Sequence, residues 1–163
     1  MTKEKPNIAL FDMSNVVFGT AVNYHHEVGG DIDLPLLRHI ILNTCSSIRK
    51  KIGVKLDEVV FCFDSKHYWR RSVFEHYKAH RKKDRDDDSF DWDQFFKDYA
   101  VLKEEFKSFL PIKNLEVLGA EADDIIAVLA KRLAPHYNVT VVSSDTDFVQ
   151  LQHDTDVKQW SPH

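Results

Sequence analysis

Residues 59–64 read Val-Val-Phe-Cys-Phe-Asp, and this stretch decides the fold class. Five consecutive apolar residues without polar alternation predict a strand buried on both faces, which is typical of parallel sheets covered by helices. An apolar run followed by aspartate recurs at residues 8–12 and, after two serines, at 139–145; residues 115–118 are a further candidate strand. We therefore predict an α/β domain of three layers, α/β/α, with a mostly parallel central sheet.

Helical signals lie between these strands. Asp33 can cap a helix that ends near Gly53 after a basic run, and a second helix should extend from residue 121 to about 133. The aromatic-rich stripe over residues 92–109 has helical spacing, which favours core packing over a base-stacking platform. Residues 13–33 show no comparable pattern and are predicted to be a loop.

The composition indicates an ordinary single globular domain of 163 residues, with 43% apolar and 29% charged residues. Its formal net charge of −4 argues against a simple basic nucleic-acid binder. Cys45 and Cys62 are flanked by apolar residues, so we expect small core residues in a reducing compartment. No apolar run resembles a signal peptide or a membrane span, and we expect a cytoplasmic protein without membrane contact.

The charge is unevenly placed, because residues 65–91 contain a basic segment. Between residues 66 and 85, eight basic residues face two acidic ones, a net +6, so the rest of the chain carries −10. Aromatic residues are interleaved, and this combination favours contact with a nucleic-acid backbone and exposed bases. The alternative is a solvated charged loop beside the acidic run at residues 86–88. The aromatic residues are Tyr68, Trp69, Phe74 and Tyr77.

Seven carboxylates follow strands or open a helix. In open parallel sheets, ligand sites form at the carboxyl ends of the strands, so these side chains can converge on one edge. Seven carboxylates in one cleft would repel one another unless cations neutralised them, and hard oxygen ligands favour Mg²⁺ or Mn²⁺. The alternative is that each serves as a helix cap or turn residue. The set is Asp12, Asp64, Glu121, Asp123, Asp124, Asp145 and Asp147.

Five motifs together resemble the phage and bacterial 5′ nucleases. They are L-F-D-M-S at 10–14, F-C-F-D at 61–64, Y-W-R-R at 68–71, E-A-D-D at 121–124 and S-S-D-T-D-F at 143–148. This family includes the flap endonucleases and the 5′-nuclease domain of DNA polymerase I, and it has a PIN-like, resolvase-like fold. The likeness is closest to members from T-even bacteriophages, which remove RNA primers in replication. It extends over nearly the whole chain.

The resemblance implies two Mg²⁺ ions, with Mn²⁺ as a possible substitute, and a two-metal hydrolysis of phosphodiester bonds. One ion would be held by Asp12, Asp64, Glu121 and Asp123, with Asp124 close by, and the other by Asp145 and Asp147.

The resemblance also makes residues 65–91 the family's helical arch, or bridge, for a single-stranded 5′ end. Lys78 and Arg81 would be catalytic and grip the scissile phosphate. The implied partners are DNA or RNA–DNA duplexes with a 5′ end or flap, and replication proteins such as a single-stranded-DNA-binding protein or clamp, in an infected bacterial host. The nucleic-acid-binding residues would be Arg70, Arg71, Tyr77, Lys78, Arg81 and Lys82.

Family members continue into a helix–three-turn–helix element and a further acidic motif, which residues 1–163 do not contain. We therefore expect an amino-terminal catalytic part, acting as a Mg²⁺-dependent 5′-3′ exonuclease or flap endonuclease. Two alternatives stay open. One is a non-catalytic fragment that has an incomplete second metal site and binds flapped DNA or a partner protein, and the other is a PIN-type ribonuclease.

Overall fold

A five-stranded sheet forms the centre of the protein in this computed structural model, which describes residues 4–74, 76–78, 89–154 and 156–162. Every strand pairing is parallel, and the order across the sheet is β3-β2-β1-β4-β5. The strands are β1 (Asn7–Asp12), β2 (Glu58–Phe63), β3 (Lys113–Glu116), β4 (Asn138–Val142) and β5 (Lys158–Trp160).

Helices cover both faces of the sheet, because successive strand side chains point to opposite sides. Phe11 and Phe61 pack with α1, α2 and α4, whereas Leu10, Val60 and Cys62 pack with α5 on the other face. The predicted three-layer α/β/α architecture is thereby confirmed. The helices are α1 (Met13–Val28), α2 (Leu34–Lys51), α3 (Trp69–Val73), α4 (Trp92–Phe109), α5 (Ala122–Leu133) and α6 (Gln150–Asp154), with a 3₁₀ helix at Thr146–Val149.

The prediction of a loop over residues 13–33 is wrong for residues 13–28, because α1 begins directly after β1; only residues 29–33 connect α1 to α2 as a loop. Val16, Val17 and Gly19 include β-branched and flexible residues that form helices poorly in isolation. The buried face of α1 is Met13, Val16, Val17 and Ala21, at helical spacing. Burial of that face against the sheet outweighs the weak intrinsic propensity.

The third strand lies two residues earlier than predicted, at Lys113–Glu116 instead of residues 115–118. Among the described strands it pairs with β2 alone, so it is an edge strand and its sequence can be polar. The apolar Val117 and Leu118 that suggested a buried strand are 51% and 88% exposed.

The aromatic stripe forms helix α4 as predicted, but only part of it is core. Phe95, Leu102 and Phe106 are buried, whereas Phe96 is 38% and Phe109 81% exposed. Phe96 follows Phe95 directly and therefore points about 100° away from the buried face. Both cysteines are buried free thiols, as predicted. Among the described helices, none is long and apolar enough to cross a bilayer.

Candidate active site

A cleft of about 720 Å³ opens at the carboxyl ends of β1, β2 and β4. Five of the predicted carboxylates line this cleft together with two basic residues, Arg71 and Lys78. The five are Asp12, Asp64, Glu121, Asp123 and Asp145. The parallel sheet explains this convergence, because the ends of its strands lie at one edge. The described structure thus brings five of the seven predicted carboxylates to one cleft.

Asp12 is the most constrained of the aspartates, with only 5% of its surface exposed. Its Oδ1 accepts a hydrogen bond from the Asn15 backbone N–H at 3.0 Å, and its Oδ2 accepts one from the Ser143 hydroxyl at 3.0 Å. Burial raises the pKa of Asp12 to about 7, and the charges of Asp123 and Asp64 add to the rise. Among the described residues, no basic side chain forms an ion pair with Asp12 to offset its desolvation.

Asp64, which follows β2, is held at both oxygens. Its Oδ2 accepts from the Ser14 hydroxyl at 2.7 Å, and its Oδ1 accepts from the Ala122 backbone N–H at 2.7 Å. The second bond links the end of β2 to the first turn of α5, where backbone N–H groups lack helical partners. Asp64 therefore fixes α5 against the sheet while it faces the cleft.

The first turn of α5 sends its two aspartates in different directions. Asp123 lines the cleft; burial raises its pKa to about 6, with Lys78 opposing the rise and Asp64 and Asp145 adding to it. Asp124 is not among the residues that line the cleft. Partial burial works to raise the pKa of Asp124, but the hydrogen bonds and charge of Arg70 outweigh it and hold that pKa below its usual range.

Glu121 caps α5 and is 2% exposed, yet its carboxylate is surrounded by donors. Oε2 accepts from Arg70 Nη1 at 2.7 Å and from the Tyr77 hydroxyl at 3.1 Å, and Oε1 accepts from Lys78 Nζ at 2.8 Å. Lys78 adopts a positive φ of 57°, which is uncommon for a residue other than glycine. Two cations thus compensate the most buried of the cleft carboxylates.

The loop after β4 carries Asp145 and Asp147, and only Asp145 lines the cleft. Asp145 caps the 3₁₀ helix by accepting from the Asp147 backbone N–H at 2.9 Å. Gln159 of β5 donates to the carbonyl oxygens of Ser143 and Asp145 at 2.9 and 2.7 Å. Asp147 is exposed at the rim of the 3₁₀ helix.

The donor set is one that Mg²⁺ accepts, but it is not a closed cage. Within the described ranges, no three His, Cys, Asp or Glu side chains form a ready group of metal ligands. Mg²⁺ does not require such a cage, because it usually keeps several waters and takes one or two carboxylates plus substrate phosphate oxygens. Burial raises the pKa of Asp12 and Asp123, and their negative charges are poorly compensated by basic side chains. These two carboxylates are therefore suited to bind a cation in this cleft.

The wall of the cleft that faces α4 is aromatic. Phe18, Trp92 and Phe96 line it, with Phe18 and Phe96 ring centroids 5.6 Å apart. Arg71 also lines the cleft and lies over the Tyr68 ring at 5.0 Å. The cleft therefore combines carboxylates, a cationic side and exposed rings.

Two of the predicted nucleic-acid contacts, Arg81 and Lys82, lie outside the described residues. Sequence reasoning missed the side chains that orient the carboxylates. The sequence signal of three of them is a position close to an acidic residue, as in Asp12-Met13-Ser14-Asn15 and Ser143-Ser144-Asp145, whereas Gln159 has no such neighbour. The missed residues are Ser14, Asn15, Ser143 and Gln159.

Comparisons with known proteins agree with this arrangement. A family model described as the N-terminal resolvase-like domain of 5′-3′ exonucleases matches residues 37–162. Ribonuclease H of Enterobacteria phage T4 is 35% identical over 163 residues, covering 97% of this chain and 53% of the phage protein. A 5′-3′ exonuclease of Buchnera aphidicola is 30% identical over 154 residues, covering 92% of this chain and 50% of that protein.

Among solved structures, a flap endonuclease of bacteriophage T5, in a pseudo-enzyme–product complex with DNA and metal ions, has the same fold. Its TM-score is 0.71 at 20% identity, over 95% of this chain and 54% of the T5 chain. The chain thus spans about half the length of the relatives it matches. The resemblance inferred from the five motifs is confirmed.

Proposed function

The chain belongs to the 5′-3′ exonuclease family, in which it corresponds to the amino-terminal resolvase-like domain, and on that premise we propose that it hydrolyses phosphodiester bonds near the 5′ end of RNA-primed or flapped DNA. The observation that carries the proposal is the convergence of Asp12, Asp64, Asp123 and Asp145 on one cleft. Burial and mutual repulsion raise the pKa of Asp12 and of Asp123, so a bound cation would stabilise their ionised forms.

We propose Mg²⁺, replaceable by Mn²⁺, as that cation. One ion would be held by Asp12, Asp64, Glu121 and Asp123, near Asp124, and a second by Asp145 and Asp147. Bound there, divalent ions supply an activated water and Lewis-acid stabilisation of the reacting phosphate. The protein itself would orient these carboxylates and stabilise their ionised forms through hydrogen bonds. Ser14 donates to Asp64, and Ser143 and the Asn15 backbone N–H donate to Asp12.

The substrate class follows from what surrounds the carboxylates. Lys78 would leave Glu121 to meet the scissile phosphate and add positive charge where negative charge accumulates. Arg71 would contact the backbone, and Phe18 and Phe96 offer rings on which unpaired bases can stack. Residues 65–91, with Tyr77 and with Arg81 and Lys82 outside the described residues, would form the arch-like path of a single-stranded 5′ end.

The test is cleavage of end-labelled 5′-flap and RNA-primed duplexes by this chain, in Mg²⁺, in Mn²⁺ and in chelator. We expect metal-dependent release of products with a 5′ phosphate and a 3′ hydroxyl. Asp64→Asn and Asp145→Asn should each abolish cleavage and leave a folded protein. Glu27→Gln is the matched control, because Glu27 is an exposed acid near the end of α1 and is not among the residues that line the cleft.

Wild-type cleavage by Asp145→Asn would remove that residue from the metal assignment. Tight binding of flapped DNA without cleavage in either metal would instead favour a purely binding role, in which a second polypeptide completes the site. Cleavage of single-stranded RNA with no preference for a duplex junction would point to a PIN-type ribonuclease.

A further inference from the structure

Arg70 and Arg71 are neighbours on the short helix α3, but their side chains have different surroundings. Arg70 Nη1 lies 2.7 Å from Glu121 Oε2 and 2.8 Å from Asp124 Oδ2, and its Nη2 lies 2.8 Å from Asp124 Oδ1. Arg71 is exposed, lies over Tyr68 and lines the cleft. Arg70 is not among the lining residues.

The guanidinium of Arg70 completes a closed network at the start of α5. Asp124 Oδ2, which it binds, also accepts from the Glu121 backbone N–H at 3.0 Å. One cation therefore fixes both the side chain of Glu121 and the residue that holds its backbone. The Trp69 ring lies 4.8 Å from the Arg70 guanidinium carbon and limits its movement.

We propose that Arg70 is a positioning residue, which aims Glu121 at the cation site of the cleft both directly and through Asp124, and that it does not contact the nucleic acid. The inference rests on the proposed function, since it concerns the metal site of the same cleft. It assigns the phosphate contact on α3 to Arg71 alone.

The geometry distinguishes arginine from lysine at this position. A guanidinium presents a rigid fork that can bind both oxygens of one carboxylate and still reach a second carboxylate. An ammonium at the end of a flexible chain is a point charge and cannot hold the three contacts together. At Arg71, where only charge near a phosphate matters, lysine should be an adequate substitute.

The decisive measurement is Mg²⁺ binding to the whole chain by calorimetry, without DNA and at a temperature below that at which the variants begin to unfold. Arg70→Lys should weaken Mg²⁺ binding by roughly tenfold or more, which is typical when a partner that orients a metal ligand is lost. Arg71→Lys should leave it unchanged. A purely structural Arg70 would lower the Tm of the Lys variant and leave the Mg²⁺ affinity of the folded protein untouched.

A second measurement needs no metal: binding of a flapped duplex in chelator over a range of salt concentrations. Arg71→Gln should lower the affinity several-fold and reduce the slope of log K against log salt by about one, as expected for a lost phosphate contact. Arg70→Gln should leave both the slope and the affinity within about twofold of the wild type. The double variant Arg70→Gln/Asp124→Asn removes both charges of the ion pair and serves if the single variant unfolds.

Equal Mg²⁺ affinity of wild type and Arg70→Lys would overturn the inference, as would a salt slope that Arg70→Gln lowers as much as Arg71→Gln does. Failure of the proposed function has a different signature: the wild type itself would bind no Mg²⁺. In that case the salt slopes alone decide whether Arg70 contacts DNA.

Discussion

Replacing Asp12 by asparagine should stabilise the metal-free protein at neutral and alkaline pH. Asp12 is 5% exposed, and its pKa is raised to about 7, above all by burial and further by Asp123 and Asp64. Asparagine is nearly isosteric and caps helices as well as aspartate does, so its Oδ1 can still accept the Asn15 N–H. Its amide can donate to Ser143 in place of the bond that Asp12 accepts.

The magnitude follows from the difference between the folded and unfolded pKa. A rise from 3.8 to about 7 corresponds to a cost of about 4 kcal/mol for the ionised form. Between these two values the folded protein retains a proton that the unfolded chain has released. The free energy of unfolding of the wild type therefore falls as the pH rises through this window, and Asp12 contributes no penalty below about pH 4.

The assay is urea denaturation in chelator at about pH 4.5, 6 and 8, with Glu27→Gln as the matched control. The stability of Asp12→Asn relative to wild type should grow with pH and reach a few kcal/mol at pH 8. Millimolar Mg²⁺ should then stabilise the wild type, by mass action on the folded state, and stabilise Asp12→Asn much less.

Two results would refute this reasoning about Asp12. One is a difference in the free energy of unfolding between variant and wild type that does not change with pH, which would mean that burial does not raise the pKa of Asp12. The other is a variant less stable than wild type at pH 8, which would mean that the carboxylate already has a stabilising partner. A control variant that reproduces the effect would trace it to net charge alone.

Three further substitutions, two of them paired with a control variant, test the core and the cleft. Leu102→Ala, at a fully buried position, should lower the free energy of unfolding by about 3 kcal/mol, whereas Val101→Ala at an exposed one should change it by less than about 0.5 kcal/mol, both by urea denaturation. Phe96→Ala should weaken binding of single-stranded DNA in chelator by at least about 1 kcal/mol if bases stack there, and Phe109→Ala should not. Gln159→Ala releases the two loop carbonyls and should weaken Mg²⁺ binding by about tenfold in calorimetry.

Much of the cleft was predictable because it depends on topology and not on side-chain detail. Asp12, Asp64 and Asp145 each follow an apolar run, and parallel strands bring such positions to one edge. Glu121 and Asp124 are three residues apart, a spacing that places two side chains on one helix face, and Asp124 does hold the Glu121 backbone. What spacing could not decide is that Asp123 turns toward the cleft in the first turn of α5.

Other features depend on tertiary contacts that leave no local signal. Helix α1 forms because its narrow apolar face meets the sheet, although its valines and Gly19 disfavour a helix in isolation. The register of β3 is set by pairing with β2, so the apolar pair Val117 and Leu118 gave the wrong bounds. Arg70 finds its partners 51 and 54 residues away, and nothing in the Y-W-R-R stretch separates it from Arg71.

The formal charge of −4 is a poor guide to the potential that a nucleic acid would meet at this cleft, because it counts every carboxylate alike. Glu121 and Asp124 are already compensated by Arg70 and Lys78. Asp12 and Asp123, with pKa values of about 7 and about 6, hold part of a proton near neutral pH until a cation replaces it. The cleft thus contains two kinds of carboxylate, and we expect a cation bound at the poorly compensated kind to strengthen the binding of a polyanion.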